Sequence, residues 1–330
     1  MPAVRFGLWY DFRNPPRWRQ DPAALYRGIL EQIRRAEALG WDDVWLSEHH
    51  GIEDGYTPSM LPLACAIAAR TERIQIGTSV LLLPLHDPMR VAEDAATVDV
   101  MSNGRLELGV AVGYRPGEFT AFGIPSRERA ARMDEAVPIL RRLLDGERVT
   151  TRGRFYRYTD AALFPLPVQR RPKLWMGGFS PPAVKRAARL GDAFIATGPV
   201  VPLIELYRSE LARLGKDPDA HEIASGITWL LVARDPERRW KEAADHLLYQ
   251  MNLYAEWFAA AGMTVATHAR SAEDLLQRGV LIVTPEQAVT QVRNFLARVP
   301  VSRFYGWTIP PGLPPEWSDE HVELMAREVI

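Results

Sequence analysis

Three titratable side chains stand in a row at Glu48-His49-His50, directly after the apolar run Val44-Trp45-Leu46. An imidazole has an ordinary pKa near ~6.5 and so exchanges protons at neutral pH. A carboxylate beside it can orient it or balance its charge. The apolar run reads as a short buried strand, which puts the trio at the strand's C-terminal end. Side chains alternate sides along a strand, so at most two of the three reach one metal ion. No His-x-His, His-Glu-x-x-His or cysteine pair supplies further ligands, and no metal is expected. A structural reading also exists, with Glu48 paired to an arginine and the histidines capping or packing. The position at a strand mouth favours proton transfer by His49, with Glu48 as its neighbour.

A second feature is "WMGGFSPPAVKRAARLGD", residues 175–192. A strand ends in Gly177-Gly178, and Ser180 precedes a helix opened by Pro181. Glycines let a ligand approach the backbone, and a helix N-terminus offers N–H groups and positive potential to an anion such as phosphate. Pro181 and Pro182 have no N–H, so donors must come from Gly178, Phe179, Ser180 or Ala183. An ordinary tight strand–helix turn is the alternative. In "SVLLLPLHDP", residues 79–88, a strand runs into a loop before a helix at Asp87-Pro88, and His86 is open to a structural or a functional role. Gly113-Tyr114 closes a further strand at the same kind of mouth. Trp9, Tyr10, Phe12, Tyr114 and Trp307 at strand ends could line a flat apolar pocket, although aromatics also fill cores.

These residues need a frame. Strand-like runs recur eight times, over 4–10, 43–48, 74–80, 106–112, 173–178, 193–198, 223–233 and 302–309. Between most of them lie amphipathic segments opened by a capping residue and proline, at Asp21-Pro22, Thr57-Pro58, Asp87-Pro88, Ser180-Pro181, Asp235-Pro236 and Thr284-Pro285. Thr284 with Gln287 also reads as a capping box. Eightfold strand–helix alternation predicts parallel pairing closed into an α/β (β/α)8 TIM barrel. An open doubly wound sheet is disfavoured because no glycine-rich dinucleotide turn follows the first strand. Residues 113–172 and 236–280 are overlong insertions after strands four and seven, on loops that build the site in barrels. The first holds a helix over about 126–145, interrupted by Pro138. No linker or repeat divides the chain, so residues 1–330 are read as one domain.

Composition narrows the partners. With 47% hydrophobic and 25% charged residues over 330 positions, a large core is available. A net charge of −1 gives no reason to expect a nucleic-acid or anionic-membrane partner. One cysteine, Cys65, sits in an apolar helical run and reads as a buried structural thiol of a reducing compartment. The opening "MPAVRFGLWY" lacks a basic start and a long apolar stretch, and no window approaches the ~20 apolar residues of a membrane span. A cytoplasmic location is expected.

Taken together, "WDDVWLSEHH", "RIQIGTSVLLLPLHDPMRVAEDAATVDVMSNGRLELGVAVG", "EFTAFG" and "MGGFSPPAVKRAARLGD" resemble the bacterial-luciferase-like flavin-dependent monooxygenases, in the family's order and over nearly the whole chain. The resemblance implies reduced FMN bound at the C-terminal face of the barrel. It makes His49 the catalytic histidine and Glu48 its neighbour. Ser79-Val80 matches the family's non-prolyl cis peptide under the flavin ring, and such a bond costs ~3 kcal/mol outside X-Pro. Gly177, Gly178, Phe179 and Ser180 match the segment around the flavin phosphate, with Gly113 and Tyr114 lining the same mouth. Two departures stand out. Ala183 lacks a hydroxyl that luciferase has, and Val112 stands where luciferase has an arginine. Arg115 is the nearest replacement cation.

The implied reaction is monooxygenation of a small, hydrophobic organic substrate by O2 through a C4a-peroxyflavin. No nicotinamide fingerprint is present, so reduced FMN would come from a separate flavin reductase. Family members often pair, and a homodimer is expected. One rival is hydride transfer by the deazaflavin coenzyme F-420 without O2; its longer anionic tail would call on Arg13, Arg17, Arg19 and Arg115. A non-catalytic flavin-binding protein is another, and a metal-dependent barrel hydrolase using His49 and His50 the last. The stretch "HLLYQMNLYAEWFAAAGM" reads as a helix covering the site or merely packing.

Overall fold

The computed structural model describes residues 3–197, 200–264 and 266–330. In chain order the elements are β1 (Arg5–Tyr10), α1 (Pro22–Leu39), β2 (Asp43–Leu46), α2 (Met60–Ala68), β3 (Gln75–Thr78), α3 (Pro88–Ser102), β4 (Leu106–Val110), α4 (Pro116–Ala121) and α5 (Arg129–Leu144). Then come β5 (Val149–Arg152), β6 (Arg157–Ala161), β7 (Leu174–Gly178), α6 (Pro181–Leu190), β8 (Ala193–Ala196), α7 (Val200–Arg213) and β9 (Glu222–Ala224). The chain ends with β10 (Leu230–Val232), α8 (Pro236–Ala260), α9 (Ala272–Gln277), β11 (Leu281–Val283), α10 (Pro285–Arg298), β12 (Arg303–Trp307) and α11 (Asp319–Leu324). Eight strands close in the order β1-β12-β9-β8-β7-β4-β3-β2, every pair parallel, which is the expected barrel.

Most helix starts obey the capping rule. The carboxylates of Asp21, Asp87 and Asp235 accept backbone N–H groups of the first turn, and Thr284 with Gln287 forms a capping box. Thr57-Pro58 is an exception. α2 begins at Met60, and the Thr57 hydroxyl instead donates to the Asp11 carbonyl at 2.7 Å, tying the loop after β2 to the end of β1. The expected helix over about 126–145 is α5, preceded by a 3-10 turn and running through Pro138.

The barrel interior alternates large and small. Trp45, Trp175 and Tyr305 pack with Ala193, Ile195 and Ala224, and Trp45 fits because Gly77 on the neighbouring strand has no side chain to meet it. Below them Arg303 pairs with Asp43 and with Glu107 (2.7 Å), while Trp175 Nε1 donates to Glu107 at 2.7 Å. Burial pushes Asp43 up to about 7, against the pull of Arg303.

Two features depart from the expected strands. The run 223–233 is not one strand but two. The chain bends over the end of β12 at Gly226, where any side chain would strike the Tyr305 backbone, and β10 then pairs with β11 outside the barrel. The insertion after β4 contains an antiparallel hairpin, β5–β6. Gly198, at the end of the eighth expected run, lies outside the described residues. Cys65 is half-buried against the core, and its burial raises the thiol pKa. No described helix is long and apolar enough to cross a membrane.

One buried titratable group makes the fold pH-sensitive. His321 accepts the Val232 N–H at Nδ1 (3.0 Å), and burial lowers its pKa to about 4. Below about pH 6.5 the unfolded chain takes up a proton here that the folded chain refuses until about pH 4. Stability from this group therefore falls as pH drops through that window, by about 3 kcal/mol in all. Urea midpoints at pH 7.5 and 4.5 should converge in His321→Asn, which keeps an acceptor and does not titrate. An equal pH dependence in that variant would refute the assignment.

Candidate active site

The C-terminal ends of the strands carry Glu48, His49 and His50 after β2, Ser79 and Val80 after β3, Gly113 and Tyr114 after β4, and Gly177 to Ser180 at the end of β7. His49 and its two neighbours divide between separate carboxylates. His49 Nδ1 lies 2.7 Å from Glu118 Oε1, on α4, and not on Glu48. The same oxygen accepts the His50 N–H at 3.0 Å and the Arg115 guanidinium at 3.4 Å. Two N–H donors already meet this carboxylate oxygen, which accepts only, so the short contact assigns the His49 proton to Nδ1 and leaves Nε2 with a lone pair. Tyr56 and Trp257 hold the ring edge-on and tilted, each at 4.7 Å between centroids.

Glu48 belongs to the other set. Its Oε1 bonds His50 Nε2 at 2.6 Å and His86 Nε2 at 2.7 Å, and its Oε2 accepts the Leu82 N–H at 2.7 Å. Burial alone would raise its pKa; the hydrogen bonds and charge of the two histidines more than offset this and hold it at about 2. Burial depresses His86, but Glu48 outweighs that and raises it. The donor atoms of Glu48, His50 and His86 lie within 4.8 Å of one another, a constellation that could hold a metal ion and that sequence spacing did not reveal, because His86 comes from a different strand end. In the structure these atoms are satisfied by hydrogen bonds to each other.

The segments expected around a flavin converge on one arc of the mouth. The Ser79–Val80 peptide is cis, the Ser79 hydroxyl bonds Tyr305 Oη at 2.8 Å, and Val80 packs so close to Gly177 that a Cβ there would come within 2.9 Å of it. Gly113 has a positive φ of 72°, which turns the chain after β4 inward. Gly178 lies against Ala183, where a side chain would meet the alanine Cβ at 2.5 Å, so this glycine serves close strand–helix packing. The Ser180 side chain makes no capping bond to α6, and its hydroxyl remains available. The cis peptide, the glycine turn beside it and a helix start with a free Ser180 hydroxyl lie together and fit a flavin-type cofactor with its phosphate.

The arginines expected to serve an anionic tail are engaged elsewhere. Arg13 is buried between Asp54 (Nε at 2.7 Å) and Asp11 (3.8 Å) and lies over the rings of Tyr56 and Tyr249; its two Nη groups make no hydrogen bond among the described residues, but they are closed off from the mouth. Arg17 pairs with Asp245, and Arg19 reaches the Glu53 carbonyl. Arg115 donates to the His50 carbonyl at 2.9 Å and covers Trp257. Of the expected aromatic lining, Trp9, Trp307 and Tyr114 belong to the mouth cluster. Tyr10 and Phe12 do not: Tyr10 follows Trp9 and so faces the other side of β1, where it bonds Gln32 of α1, and Phe12, beyond the strand end at a φ of 55°, packs on Tyr26 of the same helix.

α8 covers the mouth. Tyr254 Oη bonds Tyr56 Oη at 2.8 Å, Tyr249 Oη bonds Asp54 at 2.9 Å, and Phe258 stacks on Tyr114 and meets Phe179 edge-on. Sequence reasoning missed Glu118 altogether. It lies inside "EFTAFG", and its only signal was a lone acid within a segment otherwise read as loop.

The family described as luciferase-like monooxygenase matches residues 4–303. The chain is 29% identical over 286 residues to an F420-dependent glucose-6-phosphate dehydrogenase of Amycolatopsis mediterranei, covering 82% of this chain and 85% of that protein. It is 30% identical over 276 residues to limonene 1,2-monooxygenase of Rhodococcus erythropolis, covering 80% and 70%. The crystal structure of monooxygenase RslO1 from Streptomyces bottropensis superposes with a TM-score of 0.81 at 25% identity, over 98% of each chain.

Proposed function

The chain belongs to the luciferase-like monooxygenase family, and from that premise we propose that it is an FMN-dependent monooxygenase acting on a small, largely apolar organic substrate. One observation carries the choice of FMN: the four arginines that could read a longer anionic tail are engaged by Asp54, Asp245, the Glu53 carbonyl and the His50 carbonyl. A single phosphate needs less. The Gly177–Ser180 turn and the start of α6 would hold it, Val80 and the Ser79–Val80 peptide would support the ring, and Gly113 and Tyr114 would flank it. Reduced flavin, when bound, supplies the electrons with which O2 is activated.

The chain's own residues do the rest. Glu118 fixes His49 in the tautomer that exposes Nε2, which takes or returns a proton at the reacting group. Charge gained by the imidazole is balanced across that 2.7 Å contact. Tyr56, Tyr114, Tyr254, Trp257 and Phe258 exclude water from the same volume. Glu48 acts at one remove, holding His50 and His86 in place.

An anaerobic fluorescence titration with reduced FMN and reduced deazaflavin tests the reading. Preference for FMN, followed by incorporation of one atom of 18O2 into product, is the expected result. Preference for the deazaflavin, with product formed under strict anaerobiosis, would replace it by hydride transfer.

A further inference from the structure

His50, after β2, and His86, after β3, aim the same ring nitrogen at one point. Each Nε2 lies on Glu48 Oε1, at 2.6 Å for His50 and 2.7 Å for His86. Their ring centroids stand 6.1 Å apart at an interplanar angle of 55°, so the rings converge on that oxygen rather than stack. The three donor atoms lie within 4.8 Å of one another. The other carboxylate oxygen is pinned from behind, Oε2 accepting the Leu82 N–H at 2.7 Å. Neither imidazole shares the chemistry assigned to His49, whose ring goes to Glu118, Tyr56 and Trp257 instead.

Two imidazoles and one carboxylate are the protein ligands of open zinc sites, which leave a fourth position to water. A tetrahedral ion with bonds of about 2.1 Å spaces its ligand atoms by about 3.4 Å, so Oε1 needs to draw back from each nitrogen by less than about 1 Å. The Leu82 N–H supplies the outer hydrogen bond that orients a metal-binding carboxylate. Solvent reaches the cluster at His86, whose side chain is 28% exposed against 2% for Glu48. Phe122 packs edge-on against His50 at 4.7 Å and shelters that ring. We propose that Glu48, His50 and His86 bind one divalent late transition ion, Zn2+ matching the donor set best, with water in the remaining position. Imidazole nitrogens select such an ion over Mg2+ and Ca2+, which take oxygen donors. On binding, the Nε2 protons that now bridge to Glu48 leave, to Nδ1 of the same ring or to solvent. The ion ties the end of β2 to the far end of the loop that begins at Ser79.

Titration of the untagged full chain with ZnCl2 against a chromophoric chelator tests the site without flavin or turnover. One Zn2+ per chain is expected, with a Kd of about 10 µM or lower. MgCl2 in about hundredfold excess should not displace it. His86→Gln and His50→Gln should each weaken binding at least about a hundredfold, whereas His49→Asn should leave it unchanged. With Zn2+ at about ten times Kd the wild type should melt about 2 °C higher, and His86→Gln should not respond. The melting transition of each variant also shows that it is folded. No saturation below about 1 mM, binding that survives both glutamine substitutions, or binding that is lost with His49 would overturn the proposal. Each of these outcomes is independent of which cofactor the mouth serves.

Discussion

Glu118→Gln is expected to lower turnover by about 10²- to 10⁴-fold, the usual worth of a positioned acid–base group, while flavin binding stays close to wild type. The His50 N–H and Arg115 still require an acceptor, so the glutamine will place its oxygen where Oε1 now sits and keep the Nδ1–H tautomer of His49. What disappears is the negative charge facing the imidazole. A ring that gains a proton during turnover then lacks its counter-charge, so the rate falls while the fold is kept. A purely structural Glu118 would lower the thermal midpoint and leave turnover per folded molecule unchanged. Glu118→Asp, which restores the charge on a shorter arm, should recover part of the rate. Unchanged turnover in Glu118→Gln would remove His49 from the proposed chemistry, or Glu118 from His49.

Gly109→Ala should be among the most damaging single-methyl changes in the barrel. A Cβ on Gly109 would overlap the Thr78 carbonyl oxygen and come within 3.0 Å of Ile195. Thr78 is itself clamped to Gly109, its hydroxyl donating to the Gly109 carbonyl at 2.7 Å and accepting the Gly109 N–H at 2.8 Å. The obstacle is backbone, so no rotamer relieves it, and a loss of about 3 kcal/mol or more is expected. Any strand shift that relieves the overlap also moves Ser79 and Val80, so flavin affinity should fall together with the urea midpoint. Gly117→Ala is the control. Its Cβ would meet nothing closer than Arg115 at 3.9 Å within α4, and it should be neutral or slightly stabilising. Equal behaviour of the two variants would refute the packing argument.

The barrel was legible because its strands are short runs of β-branched and aromatic residues, punctuated by caps that act locally. Asp21, Asp87, Asp235 and Thr284 each need only the next three residues to do their work. Thr57 carries the same local signal, yet its hydroxyl goes to a carbonyl 46 residues away, where tertiary structure outbids the cap. The site shows the same division. Adjacency suggested that Glu48 serves His49, but consecutive residues leave the strand in different directions, and the partner of His49 is 69 residues distant. His86 joins Glu48 across 38 residues. Pairings of that range depend on the closed order of strands, which periodicity does not encode. The split of the run 223–233 has a similar origin, since Gly226 is required only because β12 passes beneath it.

β10 and β11 lie side by side, and the segment between them, helix α8 included, leaves and rejoins the fold at neighbouring points: the Ala233 N–H bonds the Val283 carbonyl and the Leu281 N–H bonds the Trp229 carbonyl. An insertion whose ends are clasped together adds little chain-closure entropy when its length or content changes. The segment can therefore be exchanged as a cassette. Evolution could re-tailor which molecules this barrel accepts by replacing residues 233–280 while His49, Glu118 and the glycine turns stay untouched, and a laboratory graft between the same two points would do so in one step.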